Sequence, residues 1–213
     1  MGHMSKAQIT VLALWSFGIV LSKVCGMTKV TATLADHFNA KERNLRQRLR
    51  EWLWDKPDKK GAKRVEWDVY GSFAPLMKWV LTYWPKGEKR MALAIDATTL
   101  KDIFAVLSIS VVYRSCAIPV AWVVLPLHKK GSWKPHWLQI FQSLKGSIPP
   151  DWFVIVLADR GLYALWLYEA IRENGWHPYL RINIRSTYRP KGTTAFRPMA
   201  QLLDAPGDMW AGE

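Results

Sequence analysis

Cysteine is nearly absent: Cys25 and Cys116 are the only two in 213 residues. Two thiols build neither a disulfide framework nor a four-cysteine zinc module, so a reducing compartment is the expected setting. Acidic side chains are scarce too, 17 Asp+Glu against 30 Lys+Arg, for a net charge of +13. An excess of that size calls for a polyanionic partner, nucleic acid or an anionic membrane surface, and says nothing of the fold. No glycine-rich phosphate loop occurs, so no nucleoside triphosphate is expected as a ligand. The five histidines (3, 37, 128, 136 and 177) show no zinc-ligand spacing. Ser108, Ser110 and Cys116 have no nearby base to make them nucleophiles.

A long hydrophobic run is missing as well. Ile9–Cys25 (ITVLALWSFGIVLSKVC) is broken by Ser16 and Lys23. It falls short of the roughly twenty apolar residues that span a bilayer and has no small-residue cleavage site after it. A buried core helix is the expectation, with no membrane partner. Met1–Met4 (MGHM) resembles a cloning scar.

What is present suits a globular chain: half the residues are hydrophobic and 22% are charged. The front of the chain is helical in pattern. Thr31–Phe38 predicts a short helix opened by a Thr cap, Asn39–Ala40 a turn, and Lys41–Trp54 a second helix. That second helix sets Leu45, Leu49 and Trp52/Leu53 on one side and Arg43, Arg46 and Arg50 on the neighbouring one. Lys41, Arg43, Asn44 and Gln47 near its start, with the stripe Arg46 and Arg50, are candidate DNA contacts, as in a recognition helix. Asp55–Lys63 (DKPDKKGAK) reads as an exposed linker. Trp67–Trp84 returns to helical spacing through Phe73, Leu76, Met77, Val80 and Leu81, and Pro85–Gly87 stops it.

From Met91 the pattern turns to strands. Met91–Ile95 (MALAI) is a buried-strand signal ending at Asp96; Ile103–Tyr113 and Ala117–Leu125 are two more, joined by a turn at Arg114–Ser115. Trp133, Trp137, Ile140, Phe141 and Leu144 are spaced for an amphipathic helix. Phe153–Ala158 (FVIVLA) is a strand that runs into Asp159, Arg160 and Gly161. Ala164, Leu167, Tyr168 and Ile171 predict a helix stopped at Asn174–Gly175, and Pro178–Ile182 a last strand. The predicted order is β-β-β-α-β-α-β, a mixed α/β fold behind a helical front. Thirteen tryptophans mostly sit at core spacing, among them Trp133, Trp137 and Trp166. Trp52, Trp54 and Trp84 lie beside basic residues and are secondary candidates for stacking on bases. His128–Lys134 is a basic loop ahead of a helix, with a phosphate at that N-terminus as its functional alternative.

Asp96 and Asp159 each follow a hydrophobic strand. If those strands are neighbours, about 4.8 Å apart, the carboxylates converge at one sheet end. Paired hard oxygens there suit Mg²⁺ or Mn²⁺, which retain water and bind phosphates. Ala94–Thr98 (AIDAT), the strands after it, and Val156–Gly161 (VLADRG) resemble the catalytic core of insertion-sequence transposases of the DDE superfamily. The resemblance covers roughly Met91 to Ile184. It implies an RNase H-like core, metal-dependent phosphodiester cleavage and strand transfer in DNA transposition, and Asp96 and Asp159 as the first two metal-binding acids. It also implies transposon-end DNA as partner, with a homodimer on it, and a bacterial-type cytoplasm with the nucleoid as location. Arg160 is a candidate contact to a DNA phosphate, with pairing to a surface carboxylate as the alternative. The domains expected are a basic end-binding region over 5–54, a linker and connecting helix over 55–90, the core over 91–184, and the start of an insertion segment or a tail over 185–213.

The third acid of such cores, a Glu on a later helix, has no counterpart after Ile184. Asp204, Asp208 and Glu213 lie where no helical periodicity runs. The expectation is an incomplete core, the front part of a truncated transposase, inactive alone. A catalytically dead DNA-binding remnant or regulator of transposition is the alternative.

Overall fold

The computed structural model describes residues 4–59, 65–128 and 132–202. Residues 1–3, part of the Asp55–Lys63 stretch, the middle of the His128–Lys134 loop, and Asp204, Asp208 and Glu213 lie outside the described residues. The chain divides into two units, Met1–Ser72 and Phe73–Glu213.

In the first unit three helices enclose a small core. Helix α1 (Lys6–Ser22) opens with a capping box: Ser5 Oγ accepts from the Gln8 amide, and Gln8 Oε1 accepts from the Ser5 amide. Helix α2 (Met27–His37) starts at Gly26, and Asn39 in the left-handed region at φ 47° turns the chain into α3 (Glu42–Leu53). Val11, Val30, Leu34, Leu45 and Leu49 form the core, with Trp15, Ala35 and Trp52 packed against it. Gly18 lets α1 and α2 approach closely: a Cβ there would lie 2.7 Å from Val30 Cγ1 and 3.0 Å from Leu34 Cδ1.

Four expectations for this unit need correction. Thr31 is no cap but a fully buried residue inside α2, its hydroxyl within 3.1 Å of the Thr28 carbonyl and 3.3 Å of Glu42 Oε1. Lys41 and Trp54 flank α3 rather than belong to it, and Leu53 is exposed. Trp67 stacks on Trp52, ring centroids 4.6 Å apart, but lies outside any helix: a 3-10 turn over Tyr70–Ser72 follows it, and the expected helix starts only at Phe73. Helix α1 is not a buried core helix. It is apolar on every side, while α2 and α3 pack on one part of it, so Ile9, Phe17, Leu21 and Val20 (73% accessible) stay exposed. No single helix among the described residues is long and apolar enough to cross a membrane; α1 and α2 together would be, but only as a pair bent by 93°.

The second unit begins with α4 (Phe73–Thr82) and continues as a five-stranded sheet in the order β3-β2-β1-β4-β5. Strands β1 (Arg90–Leu100), β2 (Phe104–Tyr113) and β3 (Cys116–Pro126) form an antiparallel meander. Its tight turns take left-handed residues, Lys101 and Asp102 in the first and Arg114 and Ser115 in the second. Helix α5 (Lys134–Leu144) then crosses to β4 (Phe153–Ala158), which lies parallel to β1, and α6 (Leu165–Glu173) crosses to β5 (His177–Leu180), parallel to β4. A small hairpin of β6 (Thr187–Tyr188) and β7 (Arg197–Pro198) follows. The fold is mixed α/β, and its β-β-β-α-β-α-β order is the expected one.

One face of the sheet is buried through Leu93, Ile95, Leu107, Ile109, Val154 and Val156, with Trp137, Ile140, Phe141 and Leu144 of α5 and Leu167 and Ile171 of α6 in the core. Trp133 stands at the start of α5 and is exposed, and Trp166 is half-buried, so neither is the core residue its spacing suggested. The last main strand stops at Leu180, two residues short of expectation.

Candidate active site and nucleic-acid interface

The two strands that carry the aspartates are tied together at their entry. The Phe153 amide donates to the Lys89 carbonyl at 2.8 Å, and Lys89 Nζ pairs with Asp151 Oδ2 at 2.5 Å. That hydrogen bond from Lys89 holds the exposed Asp151 carboxyl below its usual pKa. A carboxylate with a lowered folded-state pKa stabilises the fold above its unfolded pKa, and the contribution is lost as pH falls through the folded value.

From this anchor the register runs without a break, Arg90 beside Phe153 through to Ile95 beside Ala158. Asp96 and Asp159 are the next residue on each strand. Paired residues share a sheet face, and side chains alternate along a strand. Ile95 and Ala158 are buried while Asp96 and Asp159 are exposed, so the two aspartates occupy adjoining positions on the opposite, open face. Backbone spacing across such a pair is about 4.8 Å.

Asp96 differs from expectation in one respect. It lies within β1, not after it, because Ala97–Leu100 continue to pair with β2; Ser108 is its register partner there. Asp159 does end its strand. Its backbone stays extended (φ −74°, ψ 161°), and Oδ1 accepts from the Arg160 amide at 2.7 Å as the chain enters a 3-10 turn over Arg160–Leu162. Gly161 is not in the left-handed region, and a Cβ there would meet nothing within 4 Å, so neither packing nor backbone demands glycine beside the carboxylate.

Arg181, which no motif in the sequence marks, reaches the same place. Its amide extends the ladder by donating to the Ala158 carbonyl at 3.0 Å, and Nη1 lies 3.5 Å from Asp159 Oδ1. Both side chains are about 70% accessible (71% and 68%), so this pair is well screened and weak. Ala94, Leu157, Tyr179, Asp159 and Arg181 line a shallow recess on this side of the sheet. Among the described residues no three His, Cys, Asp or Glu side chains gather. The pair alone offers hard, solvent-facing oxygens, a donor set that fits Mg²⁺ or Mn²⁺ keeping most of its waters and does not fit a closed zinc site.

The helical unit supplies the other candidate surface. Lys41, Arg43, Asn44 and Arg50 are exposed, opposite the buried Leu45 and Leu49. Arg46 pairs with Glu42 at 2.9 Å and Gln47 donates to Glu51 at 2.6 Å, so both are drawn onto acids of their own helix. Arg48 is a further exposed cation on α3. The chain passes from α2 to α3 through the short connection Phe38–Lys41. Trp52 packs on the first unit's core and Trp84 sits against Tyr113 and Trp152, so neither is placed to stack on a base.

No family model matches the chain, and no curated protein does. Among solved structures it is similar to the Mos1 transposase paired-end complex with left transposon end, at 11% identity and a TM-score of 0.31, over 84% of this chain and 60% of that one. The Mos1 mariner paired end complex with Mn is similar at 11% identity and 0.31, over 83% and 58%. The Mos1 strand transfer complex is similar at 11% and 0.27, over 84% and 59%. This chain therefore spans about three fifths of the length of those proteins. Overlap at that level carries no argument about function, which rests on the strand register and the side chains themselves.

Proposed function

We propose that the chain is a DNA-transposition protein of the DDE transposase type, holding two of the three acids that such chemistry uses. The observation that carries this reading is the parallel register of β1 with β4, which brings Asp96 and Asp159 side by side on an open face. In this reading Asp96 and Asp159 bind Mg²⁺ or Mn²⁺. When bound, the metal supplies activation of the attacking oxygen and stabilisation of the leaving one in phosphodiester cleavage and strand transfer. The remaining work falls to the chain. Lys41, Arg43, Asn44, Arg46, Gln47 and Arg50 hold duplex DNA at the transposon end, and Arg160 positions a phosphate beside the carboxylates. The open space around Gly161 leaves that phosphate an unobstructed approach.

A second reading, a DNA-binding remnant or regulator without catalysis, draws on one observation. Among the described residues no third acid gathers with Asp96 and Asp159, and Asp159 already faces Arg181. Nicking of end-bearing DNA in Mn²⁺ tests the proposal. The chain alone is expected to bind such DNA in a salt-sensitive manner and to leave it uncut. Cutting that Asp96→Asn abolishes would show that two acids suffice and would refute the dependence on a third. Neither binding nor cutting, at low salt, would refute the DNA-transposition reading altogether.

A further inference from the structure

Beyond the carboxylates the chain changes character. Residues 174–203 contain no Asp or Glu, yet carry Arg181, Arg185, Arg189, Lys191 and Arg197. An acid-free stretch is unusual for a surface segment even in a basic protein, since 17 acids are spread through the rest of the chain. The fold arranges this stretch in order. It begins in the recess beside Asp159, where Tyr179 stands 67% accessible over a floor of Ala94 and Leu157. It ends in the β6–β7 hairpin, which sets Arg197 opposite Tyr188 and places the Arg189 guanidinium 5.8 Å from the Phe196 ring. Phe196 is again 67% accessible. Two solvent-facing rings and five cations thus follow the carboxylate pair along the chain, with no acid among them.

We infer that this segment is a grip for a single strand of DNA, separate from the duplex-binding surface of α3. The cations neutralise successive phosphates, and Tyr179 and Phe196 offer flat faces on which unpaired bases stack. A duplex, whose bases are already stacked on each other, has no use for those rings, and this favours a single strand as the occupant. Arg181 belongs to the grip. Its ion pair with Asp159 is long and solvent-screened, so it turns to a phosphate at little cost. The inference rests on the reading of DNA as the partner and extends it to a strand led toward Asp96 and Asp159.

The test is fluorescence anisotropy of the full chain with a labelled 20-nucleotide single strand and with the corresponding duplex, across a salt series. Arg185, Arg189 and Arg197 are exposed, so the triple change to alanine is expected to leave the melting midpoint unmoved. It should weaken strand binding by at least about tenfold and lower the salt slope by about 2, at roughly 0.7 per phosphate contact on a single strand. Tyr179→Ala should weaken it by about tenfold, within the span measured for one aromatic–base stack. Duplex binding should change little in either variant. Strand affinity and slope unchanged by both variants would overturn the grip. Strand binding lost only on Arg43→Glu/Arg50→Glu would overturn it as well, while leaving the proposed function standing. Binding of neither probe by the unmodified chain would overturn both.

Discussion

A chain carrying Arg43→Glu and Arg50→Glu is expected to bind duplex DNA about a hundredfold more weakly than the unmodified protein at moderate salt. Both residues are exposed on α3, seven apart and so nearly in line along the helix, on a flank away from the buried Leu45 and Leu49. Arg46 between them is partly neutralised by Glu42, which leaves this pair to carry most of the stripe's charge. Each reversal removes one favourable phosphate contact and adds one repulsive contact. Each contact is of the order of 1 kcal/mol at solvent dielectric, and four such terms, partly screened, amount to about two powers of ten. The salt slope should fall by about 1.8, since each duplex phosphate contact contributes roughly 0.9. Lys86→Glu/Lys145→Glu changes the net charge equally at exposed positions of the other unit. If that control weakens binding as much, the effect is one of global charge and α3 is no recognition surface.

Leu34→Ala should unfold much of the helical unit, with a loss of about 4 kcal/mol. Large-to-small changes at fully buried leucines cost about 2–5 kcal/mol, and the upper end applies where neighbours cannot move into the cavity. Leu34 is fully buried, and the residue facing it across the α1–α2 contact is Gly18, which has no side chain to fill the space. A unit of about 70 residues has a total stability of only about 4–10 kcal/mol, so the change removes a large part of it. Denaturant titration followed by amide signals in α2 and, separately, in β4 reads the effect. The midpoint for α2 should drop sharply and that for β4 should hold. Duplex binding should fall with the helical unit. A small shift in α2, below about 1 kcal/mol, would mean that α1 and α2 are not packed through Gly18 as described.

Much of the second unit was legible from the sequence because its strands are short apolar runs with polar boundaries. Phe153–Ala158 matched residue for residue: six hydrophobic positions lie between Trp152 and Asp159, and nothing else in the neighbourhood competes. Strand β1 was legible only as far as its buried part. Its continuation through Asp96 to Leu100 is held by backbone pairing with β2, and exposed pairing leaves no hydrophobic signature. Helix α1 misled for the converse reason. Periodicity reports that side chains are apolar, not that partners exist to cover them, and Val20 stays 73% accessible. That β1 and β4 are neighbours could be posed only as a condition, since strand signals carry no information on which strands pair. Arg181 reaches Asp159 from twenty-two positions away, and its only trace in the sequence is the acid-free run that contains it.

Asp96 and Asp159 are proposed to act as one cation site. Equilibrium Mn²⁺ binding by electron paramagnetic resonance, on the unmodified chain, Asp96→Asn, Asp159→Asn and the double variant, tests it most directly. If the carboxylates share an ion, each single change should weaken binding by about tenfold or more. The double variant should then be worse than either single one but better than the two losses combined, because the chelating pair is already lost in each single variant and the remaining carboxylate holds the ion only weakly. Losses that add independently, or Mn²⁺ binding indifferent to both substitutions, would place the two aspartates in separate roles and contradict the account.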